Sequence, residues 1–421
     1  MDVMEKLLIQ TLETIPREIA AQVVEEKLND QGIKIPNSKI LLLSDRVLKA
    51  NSDRIMRGDS AKLFFWDWKF WRLQKHVIKI TKEDMKLILQ SIGGIYSNKL
   101  NVFIDDSSDR LSDVLLESVL KTWPKTSRLH DKIMKRFHRN LIRRWGEPLD
   151  RLDMLVTLSS EFGERIKDHL REKNETQSPY LDEILIRLHI RALQVSREIL
   201  CLLQSGFPDG AMSRWRTLHE IAAVALYIVG QGEDLAERYY LHEIIETRRG
   251  AIQYQGYKDR LKLEPIDPEE LNDIEKEYLA SIDLFGKQFD SPHGWAAHHL
   301  GIERPTFADI ERASGVDHWR PYYKMASDDV HANPRGVFYK LGVFDSPDAL
   351  LSGPSNAGLA DPGGCTCHSL MQVNTALLQL SSSLDLLVLA KALSKLADAA
   401  EDAFDRCGQE LSSDVTALDI S

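Results

Sequence analysis

A chain of 421 residues, 43% hydrophobic and 28% charged, exceeds one ordinary domain and is too apolar to be disordered, so two or three globular domains are expected. Its 54 cations against 64 anions leave a formal charge of −10, which excludes indiscriminate nucleic-acid binding by the whole surface but not a local basic face. Four cysteines (Cys201, Cys365, Cys367 and Cys407) in so long a chain argue against a disulfide framework and for a reducing, cytoplasmic setting. No run approaches the ~18 apolar residues of a membrane span, and acids interrupt the N-terminus where a signal peptide needs an apolar core.

Residues 1–30 predict an amphipathic helix, and 40–43 suit a short strand or a helix start. The run KLFFWDWKFW at 62–71 holds three Trp and three Phe, an aromatic centre for the N-terminal part. Thr81, followed by Glu83 and Asp84, predicts an N-cap with acids in the first turn. A loop at 93–94, a strand at 100–104 and a polar turn at 105–109 are expected next.

Residues 121–144 form the one strongly basic segment. Arg128, Lys132, Lys135, Arg136, Arg139 and Arg143 are the candidate nucleic-acid contacts, because phosphates require only an accessible cluster of cations. The alternative is a solvated helix face. Leu129, Ile133, Phe137, Leu141 and Trp145 supply a stripe to bury on the other side. Gly146 and Pro148 mark the expected domain boundary.

From there the pattern is helical almost throughout, with helices near 151–172, 180–205, 210–230, 233–257, 268–288, 318–331 and 366–405. The fold class is mainly α: a helical bundle domain at 149–406, a smaller, mostly helical N-terminal domain at 1–146 with a basic helix at 121–145, and a flexible tail at 407–421. The bundle is organised around residues 187–229, an αα-hairpin. Its first arm is apolar at Leu188, Ala192, Val195, Ile199, Leu202 and Leu203, and its second at Met212, Trp215, Leu218, Ile221, Ala222, Ala225 and Val229. Gly206 suits the end of the first arm and Pro208 the start of the second.

The candidate catalytic residues are Arg214, Arg216, His219, Glu220, Asp328 and His331. Arg216 and Glu220, four apart, share a helix face as an ion pair or a site scaffold. Arg214 and His219 lie about 140° apart on an ideal helix, so a joint site needs an irregular first turn or a second protomer. Asp328, three residues before His331, is placed to orient a general base or to stabilise a helix terminus. A metal-dependent hydrolase could be built on that pair. Cys365, Cys367 and His368 offer one thiol cluster where zinc wants two, so no metal and no cofactor is assigned.

The segments SGFPDGAMSRWRTLHEIAAVALYI and YYKMASDDVHANPRG resemble an uncharacterised bacterial all-helical family, a domain of unknown function. Its members show a small-residue turn, an Arg and a Glu four positions on, then a later helix with Ser and His before Pro. Here these are Gly206/Gly210, Arg216, Glu220, Ser327, His331 and Pro334, and the resemblance spans roughly residues 150–400. More distantly, the chain is similar to the HEPN superfamily of helical nucleotide-binding and RNase domains, whose ribonucleases use an Arg and a His four to six residues apart, usually at a dimer interface. Arg214 and His219 match that spacing, although Trp215 stands where active members commonly carry a polar residue. The resemblance implies metal-independent RNA cleavage, with His219 as acid/base and Arg214 stabilising the phosphorane.

Two readings stay open. One is an RNase-like effector of a phage-defence or toxin system, a homodimer acting on RNA or with a second protein of that system and without a membrane. The other is a non-catalytic helical module that binds a protein partner or a nucleotide.

Overall fold

The computed structural model describes residues 3–49, 61–69, 72–172, 178–331, 334–343, 351–381 and 383–419. The fold is mainly α, and two compact units divide it, Met1–His130 and Asp131–Ser421. Among the described residues no helix is long and apolar enough to cross a membrane.

In the first unit α1 (Val3–Asp30) packs on α2 (Asn37–Lys49), and both meet an antiparallel hairpin of β1 (Ala61–Lys69) and β2 (Arg72–Ile80) in which Ala61 pairs with Ile80. The core joins Ile15, Ile19, Val23 and Leu28 at helical spacing to Ile40, Leu43 and Val47, and to Ile78 and Ile80, which alternate along the strand. Residues 40–43 are therefore helical, since a 3/4 spacing buries Ile40, Leu43 and Val47 in this core while Leu42 stays exposed. The backbone at 62–69 is strand, while the side chains of the aromatic run lie outside the described residues. Thr81 and Asp84 cap α3 (Lys82–Glu172) reciprocally, with Thr81 N–H donating to Asp84 Oδ2 at 2.8 Å and Asp84 N–H to Thr81 Oγ1 at 3.3 Å.

That 91-residue helix departs from the sequence reading at four places. The loop at 93–94, the strand at 100–104 and the turn at 105–109 are all helical backbone. Two consecutive glycines cost a helix only about 2 kcal/mol, less than its neighbouring turns supply when the pattern continues. The expected boundary at 146–148 also falls inside α3, because Pro148 is buried between Trp145 and Leu149 and packing outweighs its helix-breaking tendency.

The second unit is built on the hairpin of α4 (Pro179–Gln204) and α5 (Pro208–Gln231), flanked by the C-terminal half of α3. Shorter helices follow: α6 (Glu233–Leu241), α7 (Glu243–Leu261), α8 (Pro268–Phe285), α9 (Ala297–Leu300), α10 (Phe307–Ser314), α11 (Arg320–Val330) and α12 (Pro334–Phe338). The chain closes with α13 (Ala360–Leu378) and α14 (Leu384–Asp419). Trp145, Leu188, Val195, Trp215, Leu218, Ala222, Leu370, Val373 and Phe404 share one core.

The single helix expected at 366–405 is two. Tight i→i+3 bonds close α13 at Gln379, Leu380 and Ser381, and Ser381 Oγ accepts from Ser383 N–H at 3.2 Å, a local alternative to the helix ladder. The expected tail at 407–421 is helical to Asp419, held where Cys407 Sγ donates to Arg144 O at 3.2 Å and Arg144 pairs with Asp414. Between α12 and α13, residues 344–350 lie outside the described residues.

Three core helices meet at a polar knot. His189 Nε2 donates to Asn374 Oδ1 at 3.0 Å, and Asn374 Nδ2 donates to Ser159 Oγ at 2.8 Å. A Cβ on Gly163 would lie 2.5 Å from the His189 ring, so glycine makes room for it. Burial pushes the His189 imidazole down from 6.5 to about 4, against the pull of Asn374. The unfolded chain takes up this proton near 6.5, so the contribution is complete above that pH and drains away as pH falls to about 4. The stability at stake is about 3 kcal/mol. Urea unfolding across that window should therefore show a steeper loss for the wild type than for His189→Gln; parallel profiles would contradict this.

Candidate functional site

The second arm of the hairpin and α11 bring three of the six candidates, Arg216, His219 and Glu220, around Tyr323, in two hydrogen-bonded sets. Glu220 Oε1 accepts from Tyr323 Oη at 2.6 Å and lies 3.2 Å from Arg216 Nε. The Arg216 guanidinium stands 4.9 Å from the centre of the Tyr323 ring, and Arg320 stands 5.1 Å from it. Burial and the Glu220 carboxylate together push the Tyr323 phenol up to about 12. The Arg216–Glu220 spacing is thus an ion pair, completed by a tyrosine from the 322–336 segment.

His219 lies beside this set, its ring centre 5.8 Å from that of Tyr323. It is 0% exposed, and its Nε2 lies 2.9 Å from Oε1 of Glu311, itself 0% exposed. Arg320 binds the second oxygen of Glu311. Trp215, Tyr323 and Phe307 close around the imidazole, with ring centres 5.2, 5.8 and 6.0 Å away. Among the described residues nothing hydrogen-bonds its Nδ1. Trp215 is fixed in turn by donating from Nε1 to Cys365 O and Ser369 Oγ, both at 2.9 Å.

Arg214 lies on a third face, paired with Glu198 of α4 and donating to Thr217 Oγ1 at 3.2 Å. The structure therefore separates Arg214 from His219, as their rotation about the helix requires. Asp328 and His331 also stand apart from the hairpin groups. Asp328 is 3.5 Å from Arg335, while His331 is exposed at the end of α11, its N–H donating to Ser327 O at 3.1 Å. Cys365 and Cys367 are buried thiols whose pKa values burial raises, and His368 lies 2.6 Å from Glu401. No cluster of three metal-ligating side chains occurs among the described residues.

The second candidate site is on α3. Arg128, Lys132, Lys135, Arg136, Arg139 and Arg143 are all exposed. At ~100° per residue they fall within an arc of about 100° on one helix face. None has a carboxylate partner among the described residues. Many other arginines of the second unit do: Arg151 with Glu147, Arg187 with Glu183, Arg238 with Asp234, Arg248 with Glu275. On the opposite face Leu141 and Trp145 are buried and Phe137 packs beside them, whereas Leu129 and Ile133, expected in the same buried stripe, are exposed.

Residues 182–348 match a family of unknown function (DUF5677). No curated protein and no solved structure matches the chain. The matched stretch contains the Arg216–Glu220–Tyr323 set and the His219–Glu311–Arg320 set, whereas the cations of α3 lie outside it. Glu311, Arg320 and Tyr323 are not among the residues singled out as candidates. Glu311 follows a Thr306/Asp309 capping box and looks, in sequence, like one more acid on a short amphipathic helix. Only its tertiary partner gives it away.

Breaking a buried pair should cost far more than breaking an exposed one. Glu311→Ala is expected to lower unfolding free energy by about 3–5 kcal/mol, since it leaves His219 buried alone. Glu198→Ala, which frees Arg214, should cost below about 1 kcal/mol. Urea denaturation checks both, and equal small losses would contradict the buried pair's structural role.

Proposed function

We propose that this protein is a helical module that binds nucleic acid, RNA first, by its phosphate backbone through the exposed face of α3. The observation that carries the reading is the row Lys132, Lys135, Arg136, Arg139 and Arg143, exposed and without a carboxylate partner among the described residues. Cations that no carboxylate neutralises cost little to bring to a phosphate, and each contact releases a counterion. Against a chain of net charge −10, such a row is a local attractor in a repelling surface, so binding is confined to it. In this reading Arg214, Arg216, His219 and Glu220 hold the fold, which favours the non-catalytic alternative.

Catalysis comes second. One observation favours it: Glu311 on His219 Nε2 is the arrangement by which a carboxylate orients a general base. It ranks below because the imidazole is 0% exposed and Arg214 is committed to Glu198. The cytoplasmic defence or toxin setting, with a homodimer or a second protein, belongs to this second reading.

Fluorescence anisotropy with a labelled RNA oligonucleotide across a salt series tests the proposal. The triple variant Lys132→Glu/Arg136→Glu/Arg139→Glu should bind at least about tenfold more weakly, with a salt slope smaller by about one per lost contact. Wild-type affinity in that variant, with an unchanged circular dichroism spectrum, would overturn it. Incubating RNA with wild type and His219→Ala addresses the second reading, and cleavage by the wild type alone would promote it.

A further inference from the structure

Where the cation row passes the turn of the hairpin, it borders an open groove of about 910 Å³. Lys132, Lys135 and Arg139 line one side, and Phe207 stands on the other, with Phe137 and His138 between. Phe207 is 42% exposed although it sits in the tightest part of the hairpin. An exposed phenylalanine alone signifies little. This one differs in two respects.

Its backbone is held on every side. Gly206 N–H donates to Leu203 O at 3.0 Å, Phe207 N–H to Leu202 O at 2.9 Å, and Ala211 N–H to Phe207 O at 2.9 Å. Gly206 O accepts from Ser355 N–H at 2.8 Å. Gly206 has φ +78°, and a Cβ there would lie 2.7 Å from Phe137 Cζ, so only glycine allows the turn and the α3 contact together. The ring is thus presented from a rigid mount while remaining open to solvent. Beside it, the three cations lining the groove have no carboxylate partner among the described residues. The nearby Asp209 carboxylate is engaged by Leu341 N–H at 2.7 Å.

A fixed aromatic face next to unpaired cations, in a largely apolar groove, is the pairing that single-stranded nucleic acids require: phosphates on the cations, a base on the ring. A duplex keeps its bases stacked on each other and offers the ring nothing. We propose that Phe207 is a base-stacking platform and that the groove selects single-stranded over double-stranded nucleic acid. The inference rests on the phosphate reading of α3 and adds the class of strand.

The test uses the full chain and three probes: oligo-U RNA, oligo-T DNA and a duplex RNA of the same length. Phe207→Ala should weaken both single strands about tenfold and leave the duplex unmoved. Phe207→Tyr should retain wild-type affinity, and the fluorescence of Phe207→Trp should be quenched by a single strand and not by the duplex. The two single strands separate RNA from DNA: equal affinity assigns recognition to base and phosphate, and tighter RNA binding adds the 2′-hydroxyl. The stacking platform is overturned if Phe207→Ala binds single strands like the wild type, or weakens all three probes alike. In the first outcome, a Lys132→Glu/Arg136→Glu/Arg139→Glu variant that still loses binding leaves the phosphate reading standing. If that variant binds like the wild type, both fall.

Discussion

Gly206 has no side chain at the one point where Phe137 needs the room, and the rest of the second unit follows from that contact. It seats the apolar face of α3, continued by Leu141 and Trp145, on the turn of the hairpin. A helix that buries one face in this way must turn the opposite face to water. The cations at 132, 135, 136, 139 and 143 lie on that outer face, and the same contact sets Phe207 beside them. Turn geometry thereby fixes which side chains are available for binding.

The polar groups of the hairpin behave differently. Glu220 accepts from Tyr323 and pairs with Arg216, Arg214 pairs with Glu198, and His219 is enclosed with Glu311. A buried ionisable pair adds little net stability compared with an apolar pair of the same shape, yet it is costly to break from one side. It also specifies register: α10 and α11 dock on α5 in the one position where Glu311 reaches His219 and Arg320 caps the carboxylate. Such groups concentrate in an apolar helix because they position its neighbours. The matched family stretch, 182–348, contains this whole assembly.

Much of this was legible in the sequence. Both hairpin arms, the turn at Gly206 and Pro208, the cap at Thr81 and the packed face of the basic segment from Phe137 onward follow from periodicity and turn chemistry, because those signals are local. The rotation between Arg214 and His219 was also correct, being a property of any ideal helix. Non-local features were hidden. A glycine pair looks like a break although the helix backbone runs through it, and Pro148 looks like one until its burial is known, so neither 93–94 nor 146–148 ends α3. Glu311 looks exposed until His219 is placed against it, and the serines at 381 and 383 end a helix whose leucine stripe runs on past them. The groove at Phe207 needs two segments about 70 residues apart in sequence, which no window of periodicity joins.

Ultraviolet cross-linking of the intact chain to single-stranded RNA, with the adducts mapped by peptide mass spectrometry, separates binding on the α3 face from chemistry at the hairpin. Adducts should fall on Phe207 and on the peptides spanning 128–143, with the Tyr323 and His219 peptides unmodified. Adducts concentrated at Tyr323 and the α10–α11 face, with α3 untouched, would contradict this division of labour and return the hairpin's polar groups to the centre of the function.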